Sequence, residues 1–275
     1  MKKSVVVVLI VVVVIAAVAG VLLLRNRARQ AAAAYREARV IYAMEYTQKY
    51  FANMEAEILA DAKLLAESQR LSSYLRDWNN ENNSETRSNM LEYLSNQQVI
   101  PEATAITIFD SEGYVVLCTL PMREDGDSEI PVVEAGLLGE EFSFYTFVPF
   151  ILPLGVAAVV PIRADAEIIG VKKVVIDLST NEFVDNFAEK LNAEFAIAAG
   201  SLVAATTVLN HNGERTIGMI IQPHIGHAVI MRGETVITEI DILNEAQTAV
   251  LHTAVYFPIH EWNGSPTGMV FIGVN

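Results

Sequence analysis

The chain has 275 residues, room for about two ordinary domains, and it is 52% hydrophobic with a formal net charge of −14. That charge is uneven: residues 1–100 carry 12 Lys/Arg against 10 Asp/Glu, whereas residues 101–275 carry 7 against 23. An acidic C-terminal part without a cationic cluster excludes nucleic-acid binding, which needs clustered Lys and Arg to release counterions, and the lone Cys118 excludes an internal disulfide and paired-cysteine zinc chemistry.

After "MKKS" come twenty uninterrupted apolar residues, Val5 to Leu24, which end at "RNRAR". At about 1.5 Å per residue that run spans a bilayer core, so residues 1–24 read as a transmembrane anchor. The small residues of "AVAG" at 17–20 would suit a cleaved signal, but "VLLL" continues the run beyond them. Lys2 and Lys3 are balanced by Arg25, Arg27 and Arg29, so flanking charge does not set the orientation.

Residues 25–100 form a helical stalk. No Pro or Gly occurs from Gln30 to Trp78, and apolar residues recur at Met44, Phe51, Ile58 and Leu65 beside a second row of Val40, Thr47 and Met54. Spacings that alternate three and four make a seam along one helix face, weakened at Asp61 and Ser68. The seam suits either packing on the chain's own domain or a homodimeric coil. "NNENNS" at 79–84 breaks the helix, and 85–98 predicts a shorter one.

Beyond Pro101 the period changes to that of strands: "TAITIFD", "YVVLCTL", "EFSFYTFVPF", "GVAAVVPI" and "IIGVKKVVIDL". A helix is predicted over 179–192, followed by strands at "AEFAIAAG", "SLVAATTV", "RTIGMII", "TVITEIDIL", "TAVLHTAVYFPI" and "TGMVFIGV". A short helix interrupts them at 222–233, with Pro223 in its first turn and Gly233 at its C-cap. Two hairpins nearly repeat: Pro161 and Pro258 lie 97 positions apart, Gly170 and Gly268 lie 98 apart. A repeat of that period points to two copies of one module.

This order resembles the double Cache domain of bacterial transmembrane receptors, a relative of the PAS fold. The residues that carry the resemblance are the anchor, "ADAKLLAESQRLSSYL", "FDSEGYVV" and "PIRADAEIIGVKKVVIDLS". To these the second half adds "GSLVAATTVLNHNGERTIGMIIQP", "VIMRGETVITEIDIL" and "TAVYFPIHEWNGSPTGMVFIGV", which are similar to the membrane-proximal module of methyl-accepting chemotaxis proteins. The resemblance implies an α+β protein with an N-terminal transmembrane helix, a helical stalk and two tandem PAS-like Cache modules with antiparallel sheets, at 101–192 and 193–275. It further implies a cytoplasmic-membrane location with the domain outside, a small-molecule ligand, and signalling as part of a chemoreceptor. The input region of a sensor histidine kinase or nucleotide cyclase, or a non-signalling surface protein, stays open. Family members continue from the last strand into a second membrane helix and an output module, whereas the sequence stops at "FIGVN"; a truncated receptor and an anchored sensor lacking its own output fit equally.

No enzyme signature is found: there is no GxSxG, HExxH or phosphate loop. No cofactor is implied. Carboxylate pairs such as Asp125 and Asp127, or Glu140 and Glu141, read as solvated turns. All five histidines follow residue 210, and His224 with His227 shares a helix face; a metal would need further ligands from His211, His252, His260 or an acid, and the plain reading is a helix edge.

A PAS-like pocket needs aromatic walls and a few polar groups. Tyr145 and Phe147 on "FSFYTF", with Arg163 and Lys172 on the next two strands, are the candidate ligand-binding set, and cations here would suit a small organic acid. Asp177 would receive an amine. The "R-x-W-Y" pattern of some amino-acid-binding members is missing. His224, His227 and Arg215 of the second module read as solvated, which assigns that module to transmission.

Overall fold

The computed structural model describes residues 2–96, 104–119, 131–148, 152–244 and 246–275, with side chains described for all of these except 2–18, 148 and 152. The chain opens with α1 (Lys2–Ala66), α2 (Gln69–Glu81) and α3 (Ser84–Asn96). Helix α1 runs through the apolar stretch, most of which lies outside the described side chains. Among the described residues no helix is long and apolar enough to cross a membrane.

The break expected at "NNENNS" separates α2 from α3, and a further break, not expected, separates α1 from α2. Ser68 takes an extended backbone and its Oγ accepts from Leu71 N at 3.3 Å, starting a new helix there. The same Oγ shares a 2.6 Å hydrogen bond with the Tyr93 hydroxyl of α3, so the cap also ties the two later helices together. Asn82, in the left-handed conformation at φ 46°, ends α2, and Asn83 Oδ1 accepts from Thr86 N at 2.8 Å to cap α3.

Among the described residues ten strands follow: β1 (Ala105–Phe109), β2 (Val115–Cys118), β3 (Phe142–Val148), β4 (Leu152–Ala164), β5 (Glu167–Asp177), β6 (Glu194–Ala199), β7 (Leu202–Thr206), β8 (Val236–Leu243), β9 (Ala249–His260) and β10 (Pro266–Val274). Among them lie α4 (Val132–Leu137), α5 (Asn181–Leu191) and α6 (Pro223–Gly226), the last continuing as a π-helical turn over His227–Met231. The strands form two antiparallel five-stranded sheets in the same order, β2-β1-β5-β4-β3 and β7-β6-β10-β9-β8.

The hairpin repeat is a repeat of register. Ile162 pairs with Gly170 in the first sheet and Ile259 with Gly268 in the second, each beside a bulge. At both glycines a Cβ would strike the neighbouring strand, 2.2 Å from Phe109 O in one case and 2.5 Å from Ala198 O in the other. The backbone approach, not the turn, fixes glycine at these places.

The seam of α1 is used within the chain. Val40, Thr47, Phe51, Met54, Ile58 and Leu65 are buried, and α1 packs on β3, β4 and β5 of the first sheet and on β9 and β10 of the second. These residues are therefore not available to a dimeric coil; the exposed large apolar residues of α1 include Val21, Leu22, Leu23, Leu24, Tyr35, Tyr42 and Leu64. Where α1 meets both sheets an aromatic cluster forms. Phe187 of α5 stacks on Phe195 at 4.8 Å and meets Tyr50 edge-on at 4.9 Å, while Phe51 lies 5.8 Å from Tyr145 and 5.9 Å from Phe187.

Two expectations about elements fail. "RTIGMII" is no strand but a loop: Gly218 sits at φ 79°, and the isolated bridges Leu202–Ile220 and Leu209–Arg215, with backbone hydrogen bonds such as Val203 N to Met219 O at 2.9 Å, attach it. Helix α4 was not anticipated. It lies on β4 and β5, and Gly136 permits the contact, since a Cβ there would come within 2.9 Å of Val159 and Val171.

Candidate functional site

Strand parity divides the first sheet into a face turned to α1 and an outer face. Register places Ser143, Ala158, Val174 and Ile106 in one inner row and Val160, Lys172, Ile108 and Leu117 in another. The outer rows are Phe144, Ala157, Val175 and Ala105, then Phe142, Val159, Lys173, Thr107 and Cys118. Thr146, Gly155 and Asp177 continue the outer face towards one end. Helix α4 covers the other end with Val132 and Val133.

The two adjacent lysines thus separate. Lys173 is 3% exposed on the outer face, with its ammonium 5.9 Å from the centre of the Phe144 ring. Thr107, also buried, stands opposite it in register and donates its hydroxyl to Cys118 Sγ at 3.3 Å. Thr146 is buried two residues from Phe144 on the same face. A cation, hydroxyls and an aromatic ring therefore share one sheet face.

The five predicted residues do not converge. Tyr145 is buried on the inner face, inside the aromatic cluster. Phe147 is exposed, because the register of β3 slips between Thr146 and Val148 and carries it off the sheet's alternation. Arg163 follows the bulge after Ile162 and is exposed beside Gly139. Lys172 is wholly buried on the inner face and donates to the Ala62 carbonyl of α1, so it serves the core and not a ligand pocket. Burial lowers its pKa to about 7, against a smaller opposing effect of Asp61. Asp177 accepts from Ser179 N at 2.8 Å and from the Ser179 hydroxyl, forming the turn that leads into α5. Of the set, Asp177 shares the outer face with Lys173, and Arg163, between the inner-facing Ile162 and Ala164, lies on the same side beside Gly139 at the end of α4. Asp125 and Asp127 lie outside the described residues.

In the second sheet the corresponding outer face carries a pocket of about 300 Å³. Tyr256 and Phe271 pack at 5.1 Å in its wall, with Thr206, Thr216 and Asp241 as polar neighbours. Burial pushes the Tyr256 hydroxyl up to about 12. Arg215 is committed elsewhere: it donates to Thr206 O at 2.9 Å and pairs with Asp185 of α5 at 2.8 Å. His224 and His227 are exposed, and buried His252 sits 2.8 Å from Val250 O through Nδ1.

Residues 175–275 match the family model described as single Cache domain 3. The Cache resemblance is therefore shown for the second sheet, and the like strand order extends the fold, though not that match, to the first. Among solved structures, the sensor domain of the Vibrio cholerae histidine kinase DctB is similar over 89% of this chain and 97% of its own, with a TM-score of 0.54 at 12% identity. A domain assigned to the sensory box/GGDEF family from Vibrio parahaemolyticus is similar over 86% of this chain and 96% of its own, with a TM-score of 0.53 at 13% identity. At such identities the likeness is one of fold. No curated protein matches the sequence.

Proposed function

We propose that the chain is the extracytoplasmic, ligand-sensing region of a membrane-anchored receptor, held by residues 5–24, with a first module at 101–192 and a second at 193–275. The first module takes a small organic acid on the outer face of its sheet. The observation that carries this reading is the placement of Lys173, a buried cation beside Phe144, Thr107 and Thr146 on the face turned away from α1. A carboxylate there gains charge-assisted hydrogen bonds in a site with little water to compete. The chain acts as an input and not as an enzyme: binding favours one arrangement of sheet and helix, and the population shifts towards it.

The second module transmits. Its last residue is fastened to α1, since Arg39 donates to Asn275 O at 3.1 Å and to Asn192 O at 2.8 Å, while Arg36 pairs with Glu239 of β8 at 3.2 Å. Similarity of the second half to chemotaxis receptors favours a chemoreceptor. The sensor histidine kinase or cyclase input is the second reading, favoured by the two structural neighbours, a histidine-kinase sensor domain and a domain of a sensory box/GGDEF protein.

The test is calorimetry of the full chain in a neutral detergent against a panel of short-chain mono- and dicarboxylates. One of them should bind, and Lys173→Met should weaken it about tenfold to a hundredfold, as expected for a lost charge-assisted contact. Undiminished binding by Lys173→Met would place the acid site elsewhere.

A further inference from the structure

A second cavity, of about 610 Å³, opens between the two sheets, where α1, β3 and the end of β9 meet. It meets the first sheet's outer row at Phe144. Its lining includes Glu55 and Glu261, the aromatic residues Phe51, Tyr145 and Trp262, and His260, with no Lys or Arg. The adjoining Arg232 is already paired with Glu234 at 2.6 Å. Trp262, on the β9–β10 turn, lies 6.4 Å from Phe142 and so closes the cleft against the first sheet.

One wall group lacks a partner. Among the described residues, the Tyr145 hydroxyl is the buried side-chain polar atom without a hydrogen bond, although the residue is only 7% exposed. Such a hydroxyl gives up its hydration without recompense, and native interiors rarely leave one so. Glu55 is half-buried, and burial raises its pKa. A bound cation would supply what both groups lack: a counter-charge for the carboxylate and a donor for the phenol oxygen. Rings around a cation add the attraction of their π faces.

We propose that this inter-sheet cleft binds a small organic ammonium bearing an apolar or aromatic group, with Glu55 and Glu261 as counter-charges, Tyr145 accepting an ammonium hydrogen and Trp262 flanking the apolar part. The volume falls within the range of small-molecule sites, and the requirement for positive charge is opposite to that of the Lys173 face. An occupant would touch α1, β3 and β9 at once and thereby fix the two sheets relative to the long helix.

The test uses the full chain in a neutral detergent and three probes that share a phenethyl group: phenethylamine, 2-phenylethanol and 3-phenylpropionate. Binding is read by calorimetry and by quenching of tryptophan fluorescence. Phenethylamine should bind, and the alcohol and the acid should bind at least about tenfold more weakly, the difference a counter-charge confers at a partly buried site. Glu55→Gln should remove most of that preference, and Tyr145→Phe should weaken the amine without unfolding the chain. The proposal is overturned if the amine does not bind, if the three probes bind equally, or if Glu55→Gln and Tyr145→Phe both leave amine affinity intact.

Discussion

Replacing Lys172 by Met should stabilise the protein most below pH 7 and abolish a rise in stability between pH 7 and 9. Lys172 is wholly buried between β5 and α1, with the Ala62 carbonyl as acceptor and a pKa lowered to about 7 by burial. In the unfolded chain the group titrates near ~10.4. Because the folded pKa is depressed, the unfolded state binds more protons between those values, and stability rises with pH through the window. Below pH 7 both states are protonated and the whole penalty is present, about 3–5 kcal/mol at ~1.4 kcal/mol per unit of separation. From pH 7 to 9 roughly 2 kcal/mol of it is relieved. Tyr145 and Tyr256, both raised by burial, ionise above this window. Urea unfolding of wild type and Lys172→Met at pH 7, 8 and 9 measures the effect. Wild-type stability that falls with pH, or a Met variant that keeps the same slope, would refute the reasoning.

Phe187→Ala should destabilise by about 3–5 kcal/mol, the usual loss for a large buried ring, since Phe187 is 2% exposed and joins Tyr50, Phe51 and Phe195; denaturant midpoints check this. Gly170→Ala and Gly268→Ala should each destabilise by about 1–3 kcal/mol, because each new methyl would meet a backbone oxygen within 2.5 Å. Similar losses in the two variants support structural equivalence of the hairpins, and a tolerated alanine at either position argues against it.

The parts of this fold that sequence makes legible are those whose periodicity differs from their surroundings. The strands of both sheets are β-branched runs between turns, and the long helix lacks Pro and Gly over most of its length. Other features need tertiary partners to be read. The seam of α1 is visible as a row of apolar residues, but a row of that kind fits a sheet as well as a second helix, and only the packing of Phe51 and Ile58 on the two sheets decides. Helix α4 is six residues long with a Gly near its end, too short to show a period. The candidate site suffered from parity. In "GVKKVVI" the neighbours of both lysines are apolar because both sheet faces are covered, so nothing local tells which lysine faces α1. Selection of Lys172 over Lys173 followed from that ambiguity. The aromatic cleft was invisible for a different reason: its walls come from residues about 90 to 200 positions apart, brought together only by the stacking of two separate sheets on one helix.

That stacking also bears on how a change on one sheet can reach the other. Tight interiors do not deform smoothly, so a displaced element carries its packed neighbours with it. Tyr145 of β3 touches Phe51 of α1, Phe51 touches Phe187 of α5, and Phe187 stacks on Phe195 of β6. Phe195 in turn is opposite Ile272 of β10, three residues before Asn275, whose carbonyl accepts from Arg39 of α1. The path leaves α1 in the aromatic cluster and returns to it at the second sheet's end. A shift of the first sheet along α1 must therefore either break the aromatic contacts or strain the hydrogen bonds of Arg39. Glu55 and Tyr145 line the inter-sheet cleft beside the first of these contacts. An occupant of that cleft would oppose the shift, whereas a ligand at Lys173 would act on the other face of the same sheet, so the two sites would bias one movement from opposite sides.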